Sequence, residues 1–125
     1  MAKVLVVDDD RFTVDLITSL LRSFRLEAVA AYNGEDALAI LRDQGQEIVL
    51  IMLDLAMPFM NGVDVTRLIR EELGLIEVPV IAVTARVDPD SINQAYASGV
   101  NEVLNKPFTR RALEEALRRL EIPTG

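Results

Sequence analysis

The chain contains no cysteine and no histidine. The first absence excludes disulfides and thiolate metal sites. The second removes the commonest general base, triads of the Ser-His-Asp type and the usual zinc ligand. No apolar stretch approaches the ~18–20 residues that span a bilayer. No cationic leader or long apolar segment precedes the first strand pattern, so no signal peptide, no membrane association and a cytoplasmic location are expected. Positive charge is the scarcer sign, with thirteen Lys and Arg against twenty Asp and Glu and a net charge of −7. An acidic chain repels phosphate backbones, so direct nucleic-acid binding is not expected. The cations sit mostly among acids, as in Arg110-Arg111 with Glu114-Glu115 and Arg118-Arg119, which reads as a solvated helix face.

At 125 residues, half of them hydrophobic, the chain fits one domain spanning 1–125. A domain of that size buries roughly two-thirds of its unfolded surface, enough for a real core. Its apolar runs are short, bounded and rich in β-branched residues, as buried strands are. They are Val4-Leu5-Val6-Val7, Ile48 to Leu53, Val80-Ile81-Ala82-Val83 and Val103-Leu104. Glu27-Ala28-Val29-Ala30-Ala31 is a weaker strand made of small residues. Between the runs lie segments with helical spacing. Val14, Ile17, Leu20, Leu21 and Phe24 predict a helix over about 11–25. Asn33-Gly34 offers a turn or N-cap for a second, which carries Ala37, Leu38 and Leu41. Val65, Leu68, Ile69 and Leu73 mark a third that Gly74 can end. Asp88-Pro89 opens a fourth that stops near Gly99, and the last starts around Thr109. Strict alternation of strand and helix implies a parallel sheet covered on both faces. With right-handed crossovers, the expected fold is an α/β flavodoxin-like (βα)5 doubly wound sandwich with strand order 2-1-3-4-5.

The chemistry gathers where the runs end. The first enters Asp8-Asp9-Asp10, the second Asp54, the third Thr84, and the last Lys106-Pro107. Parallel strands bring these ends to one edge, and open α/β sheets bind ligands there. Several carboxylates, one hydroxyl and one ammonium suit a divalent cation and a phosphoryl group. Mg²⁺ prefers oxygen ligands, and clustered carboxylates repel one another unless a cation offsets them. At least one Asp of the triplet is expected to cap the following helix. Asp54 ends a six-residue apolar run that needs no charge, and Pro58 and Gly62 shape a tight loop after it. A carboxylate so placed can serve as a nucleophile that forms an acyl phosphate. The residue before a proline is extended, so Lys106 is aimed by its turn.

In these residues the sequence resembles the response-regulator receiver domain of two-component signalling. The likeness runs from Val4 to about Leu120. It rests on the acidic pair after the first strand, on Asp54-Leu-Ala-Met57-Pro58-Phe-Met-Asn61-Gly62, on Val83-Thr84-Ala85 and on Asn105-Lys106-Pro107-Phe108. The resemblance implies that Asp54 is the phosphoacceptor. It implies that Mg²⁺ or Mn²⁺ is held by Asp8, Asp9, Asp54 and the backbone carbonyl of Ala56. It assigns the phosphoryl readout to Thr84, Ala85 and Lys106, with Lys106 paired to Asp54 before phosphorylation, and it makes Lys106–Pro107 a cis peptide. Ala56 and Arg86 stand at positions that tune phosphoryl lifetime in the family. The implied partners are a sensor histidine kinase or histidine phosphotransfer protein, which supplies the histidine missing here, and a downstream output protein or domain. A phosphorylation-linked dimer also belongs to the family's repertoire. The implied activity is a switch that catalyses only its own phosphorylation and dephosphorylation.

One position departs from the pattern. Many receivers carry Tyr or Phe three residues before the Lys, and here that residue is Val103. Tyr96 and Phe108 lie where neither helix nor strand geometry brings them to that place. The departure keeps open a second reading, a docking module of the same fold that works without phosphorylation. A third reading, a phosphatase or flavin carrier, lacks support: there is no phosphate-cradling glycine loop, and no aspartate stands two residues after Asp54.

Overall fold

Five parallel strands form one sheet in the order β2-β1-β3-β4-β5 in the computed structural model, which describes residues 1–124. The chain runs β1 (Ala2–Val7), α1 (Arg11–Ser23), β2 (Leu26–Ala31), α2 (Gly34–Gln44), a 3₁₀ turn (Gly45–Glu47) and β3 (Ile48–Asp54). It continues through α3 (Gly62–Glu71), β4 (Val80–Thr84), α4 (Pro89–Ser98), β5 (Glu102–Asn105) and α5 (Arg110–Arg119). The expected α/β sandwich and strand order are therefore what the chain adopts. Among the described residues, no helix is long and apolar enough to cross a membrane.

Alternation along each strand divides the core in two. Val4, Val6, Leu50, Met52, Ile81 and Val83 face α1 and α5, where Ile17, Leu21, Leu113 and Leu117 cover them. Leu5, Val7, Ile51, Leu53, Val80 and Ala82 face the other layer, where Leu38, Leu41, Val65, Ile69 and Ala95 pack. Burying each such side chain is worth about 1.5–3 kcal/mol, which is why strands buried on both faces read as continuous apolar runs.

The helix boundaries follow local chemistry. Asp10, Asn33, Asn61, Asp88 and Thr109 each cap a helix with a side-chain oxygen. Helix α1 stops at Ser23, short of the expected 25, because Arg25 turns to φ 60°. Helix α3 stops at Glu71, before Leu73. The Glu72 and Leu73 amides both donate to the Leu68 carbonyl, and Gly74 turns the chain away at φ 67°. Gly99 ends α4 in the left-handed region.

Register then fixes the site. Val7 lies beside Leu53, so the next residues, Asp8 and Asp54, are neighbours. Asp54 lies beside Val83, and Thr84 beside Asn105, which leaves Thr84 and Lys106 one step further along the same edge.

Candidate functional site

Asp8 is 1% exposed and its two oxygens have separate duties. Oδ1 accepts from the Asp10 amide at 2.9 Å, and Oδ2 accepts from Lys106 Nζ at 2.9 Å. Asp10 turns away from the cluster and caps α1, accepting from the Phe12 amide and the Thr13 hydroxyl. The triplet thus divides into a capping residue and a pair left for the site. Asp8, Asp9 and Asp54 each offer an oxygen within 4.8 Å of the others, a set that could hold a metal ion. These are hard oxygen donors, the type that Mg²⁺ takes.

Asp54 is 5% exposed. Its Oδ1 accepts from the Ala56 amide at 3.1 Å, and its Oδ2 lies 3.7 Å from Lys106 Nζ. Burial pushes its pKa up to about 6, against the Ala56 hydrogen bond; Asp8 and Asp9 add to the rise and Lys106 opposes it. A carboxyl surrounded by like charge marks an arrangement that gains from a bound cation. Burial works to lower the Lys106 pKa, but the hydrogen bond to Asp8 and the charges of Asp54, Asp8 and Asp10 together hold it above the ordinary lysine value. Lys106 therefore pairs first with Asp8 and only second with Asp54, whereas the resemblance implied Asp54. The reason is geometric: Asp8 Oδ2 lies 2.9 Å from the ammonium, within hydrogen-bond reach, and Asp54 Oδ2 lies 3.7 Å from it.

The loop after Asp54 needs its glycine. The Gly62 amide donates to the Leu55 carbonyl at 3.0 Å and closes the loop. A Cβ at Gly62 would stand 2.7 Å from both the Asp54 carbonyl oxygen and Leu55 Cα. Only a residue without a side chain lets α3 start so close to the phosphoacceptor candidate.

Thr84 is 2% exposed, and its hydroxyl accepts from the Arg86 amide at 2.9 Å. Ala85 is exposed and lines an apolar groove at the mouth with Lys106, Pro107, Phe12 and Leu16. The Lys106–Pro107 bond is cis. Val103 is half-buried and packs in the α4-side core, on the same sheet face as Val80 and Ala82. By alternation Thr84 shares that face. Ala56, Thr84 and Arg86 line one cleft together with Arg67 of α3. Sequence reading missed Arg67, and also Phe12 and Leu16, which are 70% and 52% exposed on α1. Arg67 looks like any cation on a solvated helix face, and only the fold turns it toward the edge that carries Asp54.

The arrangement matches known proteins along almost its whole length. Residues 4–118 match the model of the response regulator receiver domain. A hybrid signal transduction histidine kinase of Dictyostelium discoideum is 32% identical over 95% of this chain, which spans 7% of that protein. The DNA-binding response regulator MtrA of Mycolicibacterium paratuberculosis is 34% identical over 93% of this chain, which spans 49% of that protein. The chain thus covers half or less of these curated relatives. Among solved structures, the Vibrio cholerae chemotaxis protein CheY4 superposes with a TM-score of 0.88 at 28% identity, covering 96% of this chain and 98% of that one. The receiver domain of a Pseudomonas aeruginosa sensor histidine kinase superposes at 0.85 with 28% identity, over 95% and 96% of the two chains, and its structure holds a magnesium ion in the active-site cleft. Strand order, the acidic pair, the loop aspartate and the family match converge on one conclusion: the chain belongs to the response regulator receiver domain family of two-component signalling.

Proposed function

We propose that the chain is a phosphoacceptor switch that takes a phosphoryl group on Asp54. The observation that carries this reading is the meeting of a buried Asp54 with Lys106 and the Asp8–Asp9 pair at one sheet edge. The donor is a phosphohistidine of a sensor histidine kinase or of a histidine phosphotransfer protein. An Asp54 oxygen attacks phosphorus, the O–P bond forms, the N–P bond breaks, and the departing imidazole keeps the electron pair. With a pKa of about 6, Asp54 is largely ionised at neutral pH, as a nucleophile must be. The Ala56 amide fixes Oδ1, which leaves Oδ2 as the attacking atom on the side of Lys106. The Lys106 ammonium meets charge that builds on the phosphoryl oxygens, since this chemistry depends on positioning and neutralisation more than on a strong base.

Asp8, Asp9, Asp54 and the Ala56 carbonyl would hold Mg²⁺, or Mn²⁺ in its place. The bound ion supplies neutralisation of the phosphoryl oxygens. The Thr84 hydroxyl, freed from the Arg86 amide, would bind the phosphoryl group and carry its presence into the β4–α4 segment. Ala56 and Arg86, beside it in one cleft, set how long the phosphoryl group survives by admitting or excluding water. The chain catalyses only its own phosphorylation and dephosphorylation. Its output is a protein or domain that docks on the last strand and helices.

Incubation with Mg²⁺ and acetyl phosphate tests the reading. The expected result is a mass gain of one phosphoryl group that the Asp54→Asn variant does not show. No gain in the wild-type chain would return the docking module that needs no phosphorylation.

A further inference from the structure

The loop that follows Asp54 carries a residue the fold does not use. Pro58, Phe59 and Met60 form a three-residue turn in which the Met60 amide donates to the Pro58 carbonyl at 2.8 Å, with Phe59 at φ 69°. A turn of this hand is rare and strained, and a bulky residue there is an outlier. Its neighbours hold it in place. Met57 is buried, and Met60 is tucked so closely against Gly34 that a Cβ there would stand 2.9 Å from its sulfur. Phe59, by contrast, is fully exposed, at 108% of the residue's reference area. Phe59 therefore gives the folded chain neither packing nor a comfortable backbone. Glycine or asparagine would suit the turn better on both counts. Such strain persists at functional sites when the surroundings enforce it.

The position says what would cover the ring. Phe59 stands five residues after a phosphoacceptor candidate that is only 5% exposed. A small phosphodonor can enter the cleft without touching it. A protein that brings a phosphohistidine to Asp54 must settle on the rim. Phe12 and Leu16 on α1 present a second exposed apolar patch, in one groove with Ala85, Lys106 and Pro107. An aromatic side chain covers ~150–250 Å² when buried, so these residues supply a large share of the ~800 Å² that each side of a standard interface buries. We propose that Phe59 is a docking residue that enters an apolar pocket on the phosphohistidine-bearing donor protein and helps to set which donor the chain accepts. This rests on the reading of Asp54 as acceptor of a histidine-borne phosphoryl group.

The test compares two donors on the same variants. Histidine kinases of the source organism are autophosphorylated with labelled ATP and offered alone or with its histidine phosphotransfer proteins, and the kinase system that labels the wild-type chain fastest is used; acetyl phosphate is the second donor. Phe59→Asn and Phe59→Gly are expected to lower kcat/KM from the kinase by ~10-fold or more, chiefly through KM. Phe59→Tyr keeps most of it. The acetyl phosphate rate stays unchanged in all three, and the melting temperature of the Asn and Gly variants rises. Undiminished transfer from the kinase to the Asn and Gly variants would overturn the docking role alone. Equal slowing with both donors would also overturn it, since the residue would then act on the site itself. If no kinase, alone or through a histidine phosphotransfer protein, labels the wild-type chain while acetyl phosphate does, the histidine-borne donor falls and the docking role with it.

Discussion

Two partly buried cations, Lys106 at the carboxyl edge of the sheet and Arg70 at the amino edge, are treated in opposite ways. At the carboxyl edge Lys106 faces carboxylates. At the amino edge Arg70 faces none. Its guanidinium donates to the carbonyls of Leu75, Val78 and Gly99 and to Asn101 Oδ1, through five hydrogen bonds of 2.6–3.2 Å. A guanidinium has five N–H donors, so every one is used. Burial lowers the Arg70 pKa, while the Lys106 pKa is raised by its acidic neighbours against burial. The Arg70 cluster is thus complete: it ties the end of α3 to the segments that lead into β4 and β5 and has no capacity left for a ligand. The Lys106 cluster holds more negative charge than one ammonium can offset. A complete cluster is a staple, and an incomplete one is a site.

Removing Arg70 should produce the largest stability change. Arg70→Met takes the Arg70 donor from three carbonyls and leaves Asn101 Oδ1 with the Val80 amide alone, and the expected loss is about 3 kcal/mol. Arg70→Lys recovers only part, because one ammonium cannot reproduce a planar fork. Urea unfolding measures both, and a loss below ~1 kcal/mol would show that the amino edge is not held by this residue.

The carboxyl edge should respond with the opposite sign. The folded-state pKa of Asp54 is raised from 3.8 to about 6, so the fold binds its proton more tightly than the unfolded chain does. Stability from this group is therefore fully present below about pH 4 and falls as the pH rises toward 6. Asp54→Asn removes that fall. In the absence of divalent cations, and allowing for solvent screening, the variant is expected to be more stable than the wild-type chain at pH 7 by on the order of 2 kcal/mol. At pH 4 the two should unfold nearly together. Added Mg²⁺ should stabilise the wild-type chain and leave the variant almost unmoved. A variant less stable than the wild-type chain at pH 7 without metal would refute the idea that like charge strains this edge.

The two edges also differ in how far the sequence discloses them. Asp8, Asp9, Asp54, Thr84 and Lys106 each follow an apolar run, so strand order alone brings them together, and the register matches that expectation. The caps at Asn33 and Asp88 are equally visible, because capping depends on local residue type. Arg70 was not visible. Three of its four acceptors are backbone carbonyls, which leave no mark on residue identity, and Gly99 and the fourth, Asn101 Oδ1, lie 29 and 31 residues away. Phe59 was hidden for a different reason: an apolar residue between Pro58 and Met60 reads as core until the backbone shows it facing solvent. The choice of Asp8 over Asp54 as the first partner of Lys106 is a matter of tenths of an ångström among side chains, which spacing cannot resolve.

The smallest effect is the most direct test of the contrast between the edges. If the Lys106 cluster carries excess negative charge, the ammonium competes with a dication for the same oxygens. Lys106→Met keeps much of the apolar stem and removes the charge. Two unit charges about 4 Å apart interact by about 1 kcal/mol at the dielectric of bulk water, and that fully screened value is the smallest effect the competition can have. The variant should then bind Mg²⁺ roughly five-fold more tightly in a calorimetric titration, a factor equivalent to about 1 kcal/mol. It should do so even though phosphorylation slows, because the same ammonium is needed once charge moves onto the phosphoryl oxygens. Arg70→Met provides the control, since a cation held by neutral acceptors on the far edge has no share in that competition, and its Mg²⁺ affinity should match the wild-type value. Weaker Mg²⁺ binding by Lys106→Met would mean that the lysine organises the acidic pair rather than competing for it, and the two edges would then differ in their ligands but not in their logic.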